Sequence, residues 1–131
     1  MSSRIQNLSF DCADTYALSG FWSEVLGYDR QPDDFPGDPE AALLPPDGVG
    51  PAVYFQQVPE GKTVKNRVHL CLQPTDRSRD DEVERLLGVG ATQVDDFRKP
   101  DGSGWVVLAD PEGNEFCVLR SAAERVSASL G

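Results

Sequence analysis

The sequence predicts an α+β fold made of two consecutive βαβββ modules in a single domain. A strand-like segment of alternating polarity followed by a helix-like segment occurs twice, and each helix-like segment ends in Leu-Gly before further strand-like segments. The two Leu-Gly pairs lie about 60 residues apart, a period too long for a solenoid repeat. We therefore expect module one at about 4–60, module two at about 64–120 and a short C-terminal tail at 121–131.

The elements of module one follow from its apolar spacing and its turn residues. Leu8, Phe10 and Cys12 alternate with polar residues, and Asp14 or Thr15 can cap a helix whose apolar residues recur at helical spacing. The predicted elements are a strand at 5–12, a helix from 14 or 15 to 26, an acidic loop at 29–40 with room for a short edge strand, a strand at 41–44 and a strand at 52–58.

Module two repeats this order and ends in a hairpin. Its turn is Asp-Pro-Glu-Gly-Asn at 110–114, in which Pro fixes φ while Gly113 and Asn114 tolerate positive φ. Ser78 can cap the helix, and Gly88 and Gly90 can end it. The predicted elements are a strand at 67–73, a helix from 78, a strand at 92–97, hairpin strands at 105–108 and 115–119, and a short helix that frays in the tail.

Composition limits the partners that the chain can have. The net charge of −10 argues against nucleic acid and against an anionic membrane surface. It is compatible with a cationic ligand, but the clustering of acidic residues at 29–40 and 76–84 favours a solvated surface. No apolar run approaches the roughly 20 residues that cross a bilayer, and no signal-peptide pattern is present. Three cysteines without a CxxC pair indicate reduced thiols in a cytoplasmic protein.

The polar faces of the first and last strands of each module are the candidate site. If the sheet curves, these faces line one cleft with the helices on its outer side. The residues on them are Asn7, Ser9 and Asp11; Tyr54 and Gln56; Arg67, His69 and Cys71; Glu115, Cys117 and Leu119.

Three of these residues could carry chemistry. His69 is the only histidine, so it is the one candidate general base of unperturbed pKa near neutrality, although it could equally be a half-buried strand residue. Glu115 is the only carboxylate of the last strand and could instead face solvent. Cys117 could be a thiolate ligand or nucleophile, or a small apolar filler.

Other residues are candidates for ligand binding. Amides and a guanidinium could orient a polar ligand, while aromatic rings could stack on a flat one. The predicted ligand-binding residues are Asn7, Asp11, Trp22, Tyr54, Gln56, Arg67, Trp105 and Cys117.

Four stretches together resemble a known superfamily over nearly the whole chain. They are residues 14–28 with Phe21-Trp22 and Leu26-Gly27-Tyr28, then Arg67-Val68-His69-Leu70, Gly90-Ala91-Thr92, and the turn and strand at 110–116. The chain resembles the vicinal oxygen chelate superfamily of glyoxalase I, bleomycin-resistance proteins and extradiol dioxygenases, and most of all its compact glyoxalase-like domain proteins. The resemblance implies paired βαβββ modules around a U-shaped cleft, often in a homodimer.

In metal-dependent members of this superfamily, four side chains from the first and last strands bind one divalent ion, typically His or Gln, Glu, His and Glu. The corresponding residues here are Asn7, Gln56, His69 and Cys117, with Glu115 two residues before the usual Glu position. Hard divalent ions prefer carboxylate and imidazole ligands. We therefore expect no cofactor, and if a divalent metal binds, His69 and Glu115 are its expected ligands.

The sequence thus predicts a cytoplasmic, homodimeric, glyoxalase-like protein that binds a small organic molecule in its cleft without a full catalytic metal site, as bleomycin-resistance proteins sequester a drug. The alternative is a metal-dependent enzyme of the lyase, isomerase or dioxygenase type in which His69 and Glu115 are catalytic. A binding or regulatory domain without catalysis is the third interpretation.

Overall fold

The computed structural model describes the backbone of residues 1–130 and the side chains of residues 1–126. The chain forms two compact units, Met1–Lys62 and Thr63–Gly131. Each unit contains one four-stranded mixed sheet, and in each the order is strand, helix and three strands. The predicted α+β class with two βαβββ modules is therefore confirmed. None of the helices in the described part of the chain is long and apolar enough to cross a bilayer.

The first unit has the sheet order β1-β4-β3-β2. The strand β1 runs parallel to β4, whereas β3 is antiparallel to both β4 and β2. The elements are β1 Asn7–Cys12, α1 Thr15–Leu26, β2 Asp29–Arg30, β3 Glu40–Leu44 and β4 Ala52–Gln57.

The core of the first unit lies on the face of the sheet that α1 covers. Trp22 of α1 is fully buried, and its ring stacks on Phe10 of β1 at a centroid distance of 5.1 Å. Phe10 is also 5.6 Å from Phe55, its partner in the parallel register. The helix begins after Asp14, whose side chain accepts the Ala17 N–H at 3.0 Å, and ends at Gly27, whose φ of 70° suits glycine. Both ends were predicted.

The second unit has the sheet order β5-β8-β7-β6, in which β5 and β8 are parallel and the other pairs antiparallel. Its elements are β5 Leu70–Leu72, α2 Arg79–Val89, β6 Thr92–Asp96, β7 Val106–Ala109, β8 Glu115–Val118 and α3 Ala122–Leu130. The helix predicted in the tail is α3, and Gly131 lies outside the described residues.

The two central strands of the second unit are buried on both faces. All four residues of β7 are buried, and so are Phe116, Cys117 and Val118 of β8. Val83 and Leu86 of α2 are also in this core. Side chains on both faces of β8 are therefore buried, and Glu115 at the start of the strand is its one partly exposed residue.

The strand predicted at 67–73 is wrong at its start, because β5 begins only at Leu70. Val68 is 77% exposed, and Arg67 lies in the bend before the strand. The reason is Asn66, whose side-chain Nδ2 donates to Val68 O at 3.3 Å and whose main-chain O lies 3.2 Å from His69 Nε2. These contacts bend the chain at 66–69, where an extended strand was expected.

Candidate functional site

The polar face of the first unit's sheet is the floor of a cleft of about 610 Å³. Ser9 of β1 and Tyr54 and Gln56 of β4 line this floor, since alternate residues of the two strands face away from the aromatic core. The loop at 31–38 and the start of β3 line the rest of it. We call this feature the acidic cleft, because Asp33, Asp34, Asp38 and Glu40 line it as well.

The loop is held in place by two of its aspartates. Asp34 Oδ2 accepts the Ala42 N–H at 2.9 Å, and the Asp38 main-chain O accepts the Thr15 hydroxyl at 2.6 Å. Asp38 Oδ1 also accepts the Glu40 N–H at 3.1 Å. The carboxylates of Asp34 and Asp38 therefore position the loop, whereas those of Asp33 and Glu40 are exposed and have no hydrogen-bond partner among the described side chains and main chain.

No basic side chain neutralises the acidic cleft from within, since none of the described residues that line it is Lys or Arg. Arg30 precedes the loop, but its guanidinium lies on α1. There Nη1 donates to Ser19 Oγ at 3.0 Å, Nη2 donates to Tyr16 O at 2.9 Å, and Cζ is 3.8 Å from the centre of the Tyr16 ring. Four carboxylates and two partly exposed rings, Phe35 at 54% and Tyr54 at 40%, thus surround one concave volume.

In the second unit, Asn66 joins the two residues predicted to be catalytic. Its N–H donates to Glu115 Oε1 at 3.3 Å, its Oδ1 accepts the Glu115 N–H at 3.3 Å, and its main-chain O is 3.2 Å from His69 Nε2. Lys65 Nζ donates to the same Glu115 Oε1 at 3.2 Å. Glu115 is therefore a mostly buried carboxylate bound by a cation and an amide, and His69 contacts the main-chain O of the same Asn66.

These residues of the second unit do not fit a hard divalent ion. Glu115 Oε1 is already shared between Lys65 and the Asn66 amide, and His69 Nε2 points at a carbonyl. Cys117 offers a soft sulfur, which hard divalent ions do not prefer, and burial, followed by the neighbouring Cys71, raises its pKa to about 11. Across the side chains of residues 1–126, no three or more His, Cys, Asp or Glu are grouped so as to hold a metal.

The other predicted ligand-binding residues occupy varied positions. Asn7, whose Nδ2 donates to Ser9 Oγ at 3.0 Å, and Asp11 lie on the cleft side of β1 but do not line the acidic cleft. Trp22 is in the core and has no exposed face with which to stack on a ligand. Arg67 is exposed in the bend before β5, and Trp105 is 40% exposed with its ring 5.2 Å from Phe97.

Sequence reasoning found the floor of the acidic cleft but not its carboxylates. Tyr54 and Gln56 were predicted from strand alternation, whereas Asp33, Asp38 and Glu40 were assigned to a solvated surface. The available signal was the clustering of acidic residues at 29–40 immediately before a strand. The expectation of one cleft shared by both modules stays a prediction.

Comparison with known proteins finds one family and a common fold. Residues 7–119 match the family model of the glyoxalase-like domain. None of the curated proteins compared with the chain matches it significantly.

Three solved structures illustrate the shared fold. One is a mutant of the fosfomycin resistance protein FosX from Listeria monocytogenes, complexed with Mn(II) and 1S,2S-dihydroxypropylphosphonic acid; it is 14% identical, with 100% of both chains covered and a TM-score of 0.71. FosX from Mesorhizobium loti is 17% identical, with 97% of this chain and 99% of that chain covered and a TM-score of 0.68. A glyoxalase/bleomycin resistance protein/dioxygenase family enzyme from Burkholderia phytofirmans is 17% identical, with 88% of this chain and 97% of that chain covered and a TM-score of 0.64.

Proposed function

The chain belongs to the glyoxalase-like domain family of the vicinal oxygen chelate superfamily, and from that premise we propose that it binds a small cationic organic molecule in its acidic cleft. The observation that carries the proposal is the lining of this cleft by four carboxylates without a lining Lys or Arg. The cytoplasmic location that the cysteine pattern predicts and the homodimer that the resemblance implies remain part of the proposal.

Electrostatics supports a cationic ligand in two ways, through the field of the whole protein and through direct contacts in the acidic cleft. The net charge of −10 attracts cations from solution, and a concave site lined by like charges focuses that attraction. Within the acidic cleft, the exposed carboxylates of Asp33 and Glu40 are available to pair with an ammonium group. An anionic ligand would face repulsion from the same groups.

The two aromatic residues of the acidic cleft favour a ligand with a flat apolar group or an alkylammonium group. Phe35 and Tyr54 both line the acidic cleft with partly exposed rings, so they can cover apolar surface and make cation–π contacts. Gln56 and Ser9 on the floor supply neutral hydrogen-bonding groups that can orient the ligand. The expected ligand therefore combines a cationic nitrogen with an apolar or aromatic body.

Isothermal titration calorimetry with charge-matched compounds tests this proposal. Benzyltrimethylammonium, its neutral carbon isostere neopentylbenzene at its solubility limit, and benzylphosphonate share a benzyl group and differ mainly in the charge of the group attached to it. We expect measurable binding for the cation alone, weakening as salt is added because exposed charges are screened. Equal binding of the neutral compound, preferential binding of the phosphonate, or no binding of any cationic aromatic compound would overturn the proposal.

A second candidate is a lyase, isomerase or dioxygenase that uses His69 and Glu115. The observation that favours it is their common contact with Asn66, whose N–H donates to the mostly buried Glu115 carboxylate and whose main-chain O lies 3.2 Å from His69 Nε2. Elemental analysis of the purified protein discriminates between the two candidates. Stoichiometric Ni, Zn, Mn or Fe that is lost in a His69→Ala variant would favour the enzyme over the binding protein.

A further inference from the structure

Two of the three cysteines are direct neighbours in the second unit's sheet. Cys71 of β5 and Cys117 of β8 are register partners in the parallel pair, so their side chains project from the same face. Cys71 is exposed and Cys117 is 6% exposed, and Cys71 is near enough to contribute to raising the pKa of the Cys117 thiol. Neither thiol belongs to the acidic cleft.

The spacing of the two residues permits a covalent bond between them. Neighbouring strands lie about 4.8 Å apart, within the range of about 4.4–6.8 Å found for Cα atoms joined by a disulfide. Side chains of parallel partners project side by side, so their Cβ atoms stay near the strand spacing, just above the disulfide range of about 3.5–4.5 Å. The two strands must therefore move slightly toward each other for the bond to form. A bond here would therefore be strained and easily reduced, as regulatory disulfides are.

We propose that Cys71 and Cys117 form a reversible disulfide site that is oxidised by a low-molecular-weight disulfide of the glutathione type. The proposal is independent of the ligand that the acidic cleft binds. It assigns a role to a pair of thiols that neither the small-molecule site nor a metal site uses.

The exposures of the two thiols set the order of the steps. Cys71 loses its proton to solvent, and its thiolate attacks one sulfur of the oxidant, which breaks the oxidant's S–S bond and releases one thiol. The product is a mixed disulfide on Cys71. Cys117 then loses its proton, attacks Cys71 Sγ and expels the second thiol. In total, one small disulfide is reduced to two thiols while the two cysteines are oxidised to one bond.

The geometry supports this order. A dissolved disulfide reaches Cys71 first, because Cys71 is exposed whereas Cys117 is only 6% exposed. Cys117 then reacts from the neighbouring register position of β8. Cys12 has no such setting, since it is a buried residue of the first unit whose thiol donates to Gln56 O at 3.7 Å.

Peptide mapping of the full chain after exposure to glutathione disulfide tests the proposal. Trypsin separates the cysteines because Arg77 and Arg98 lie between them. We expect the wild type to lose two free thiols and to yield one Cys71–Cys117 linked peptide pair, which dithiothreitol releases. Because the wild type alone gives this result, the test does not depend on the folding of any variant.

Single substitutions separate the two steps. Cys12→Ser is the matched control, because its hydroxyl replaces the thiol as a donor to Gln56 O, and it should behave as the wild type does. Cys117→Ser should stop at one glutathione adduct on Cys71, and Cys71→Ser should lose no thiol from Cys117. A wild-type protein that stops at the adduct, a bond that includes Cys12, or an intermolecular bond would overturn the proposal.

Discussion

Asp110 and Asn114 hold each other across the turn between β7 and β8. Asp110 Oδ1 accepts the Asn114 N–H at 2.9 Å, Oδ2 accepts Asn114 Nδ2 at 2.8 Å, and the Asp110 N–H donates to Asn114 O at 2.9 Å. The same Oδ1 also accepts the Glu112 N–H at 2.9 Å, and Asp110 is buried. One carboxylate thus satisfies most of the polar groups of this turn.

The first prediction is that Asp110→Ala lowers the free energy of unfolding by about 2–4 kcal/mol, because it leaves two turn amides without an acceptor. Asp110→Asn should cost less, since its Oδ1 can still accept both amides while its Nδ2 faces the donor of Asn114. Urea denaturation followed by circular dichroism measures the difference. Glu112→Gln is the control, and an equal loss for that variant would show that the turn depends on charge in general.

This turn shows how much of the fold local sequence can predict. Asp-Pro-Glu-Gly-Asn specifies its own hydrogen bonds within five residues, and so do the helix start at Asp14 and the helix end at Gly27. The bend before β5 is only partly local in this sense. Asn66 contacts Val68 and His69 nearby, but it is also bonded to Glu115, which lies 49 residues away and shares no sequence pattern with it.

In the candidate site, too, some residues could be predicted from local sequence and others could not. Strand alternation predicted that Tyr54 and Gln56 face away from the core, because a period of two follows from backbone geometry. Asp33 lies in a loop that the bond from the Ala42 N–H to Asp34 holds in place, whereas Glu40 begins β3 opposite Gln56, one residue before the predicted start of that strand. Loop paths of this kind depend on tertiary contacts, so charge clustering alone suggested a solvated surface.

The second prediction concerns Arg79, a buried arginine that closes the loop after β6. Its Nη1 lies 3.1 Å from the main-chain O atoms of Gly102, Ser103 and Gly104, and Nε donates to Asp80 at 3.0 Å. Lysine has no planar fork of donors to replace these bonds. We expect Arg79→Lys to lower the free energy of unfolding by about 2–4 kcal/mol.

The matched control for Arg79 is the exposed neighbour Arg77, whose Nε donates to Asp76 at 3.1 Å. A surface ion pair of this kind contributes about 0–1 kcal/mol, so Arg77→Lys should unfold near the wild-type denaturant midpoint. Equal midpoints for the two lysine variants would mean that the three carbonyl contacts of Arg79 contribute little.

The third prediction is that single carboxylates of the acidic cleft contribute to cation affinity. Glu40→Gln and Asp33→Asn should each weaken binding of benzyltrimethylammonium about fivefold, which corresponds to about 1 kcal/mol for one charge near a surface. Calorimetry at low salt measures the change. Glu60→Gln removes the same charge outside this cleft, so it controls for net charge. An equal loss of affinity for Glu60→Gln would mean that the net charge of the protein, not the acidic cleft, attracts the cation.

The fourth prediction is that Cys117 titrates far above an ordinary thiol. Burial, then Cys71, raises its pKa from 9.0 to about 11. At pH 8 about one Cys117 in a thousand would then be thiolate. Alkylation by iodoacetamide, mapped for each cysteine across pH 7–12, should show a midpoint near 11 at Cys117, with exposed Cys71 reacting first at neutral pH.

The same shift predicts how stability depends on pH. Because the folded pKa is the higher one, the folded state keeps this proton longer, and the stability that Cys117 contributes is complete below pH 9 and is lost as pH rises toward 11. Between pH 9 and pH 11 the urea midpoint should therefore decrease less in Cys117→Ala than in the wild type. In Cys12→Ala it should decrease as much as in the wild type. If alkylation of Cys117 has its midpoint near pH 9 and the Cys117→Ala slope equals that of the wild type, burial does not hold this thiol protonated.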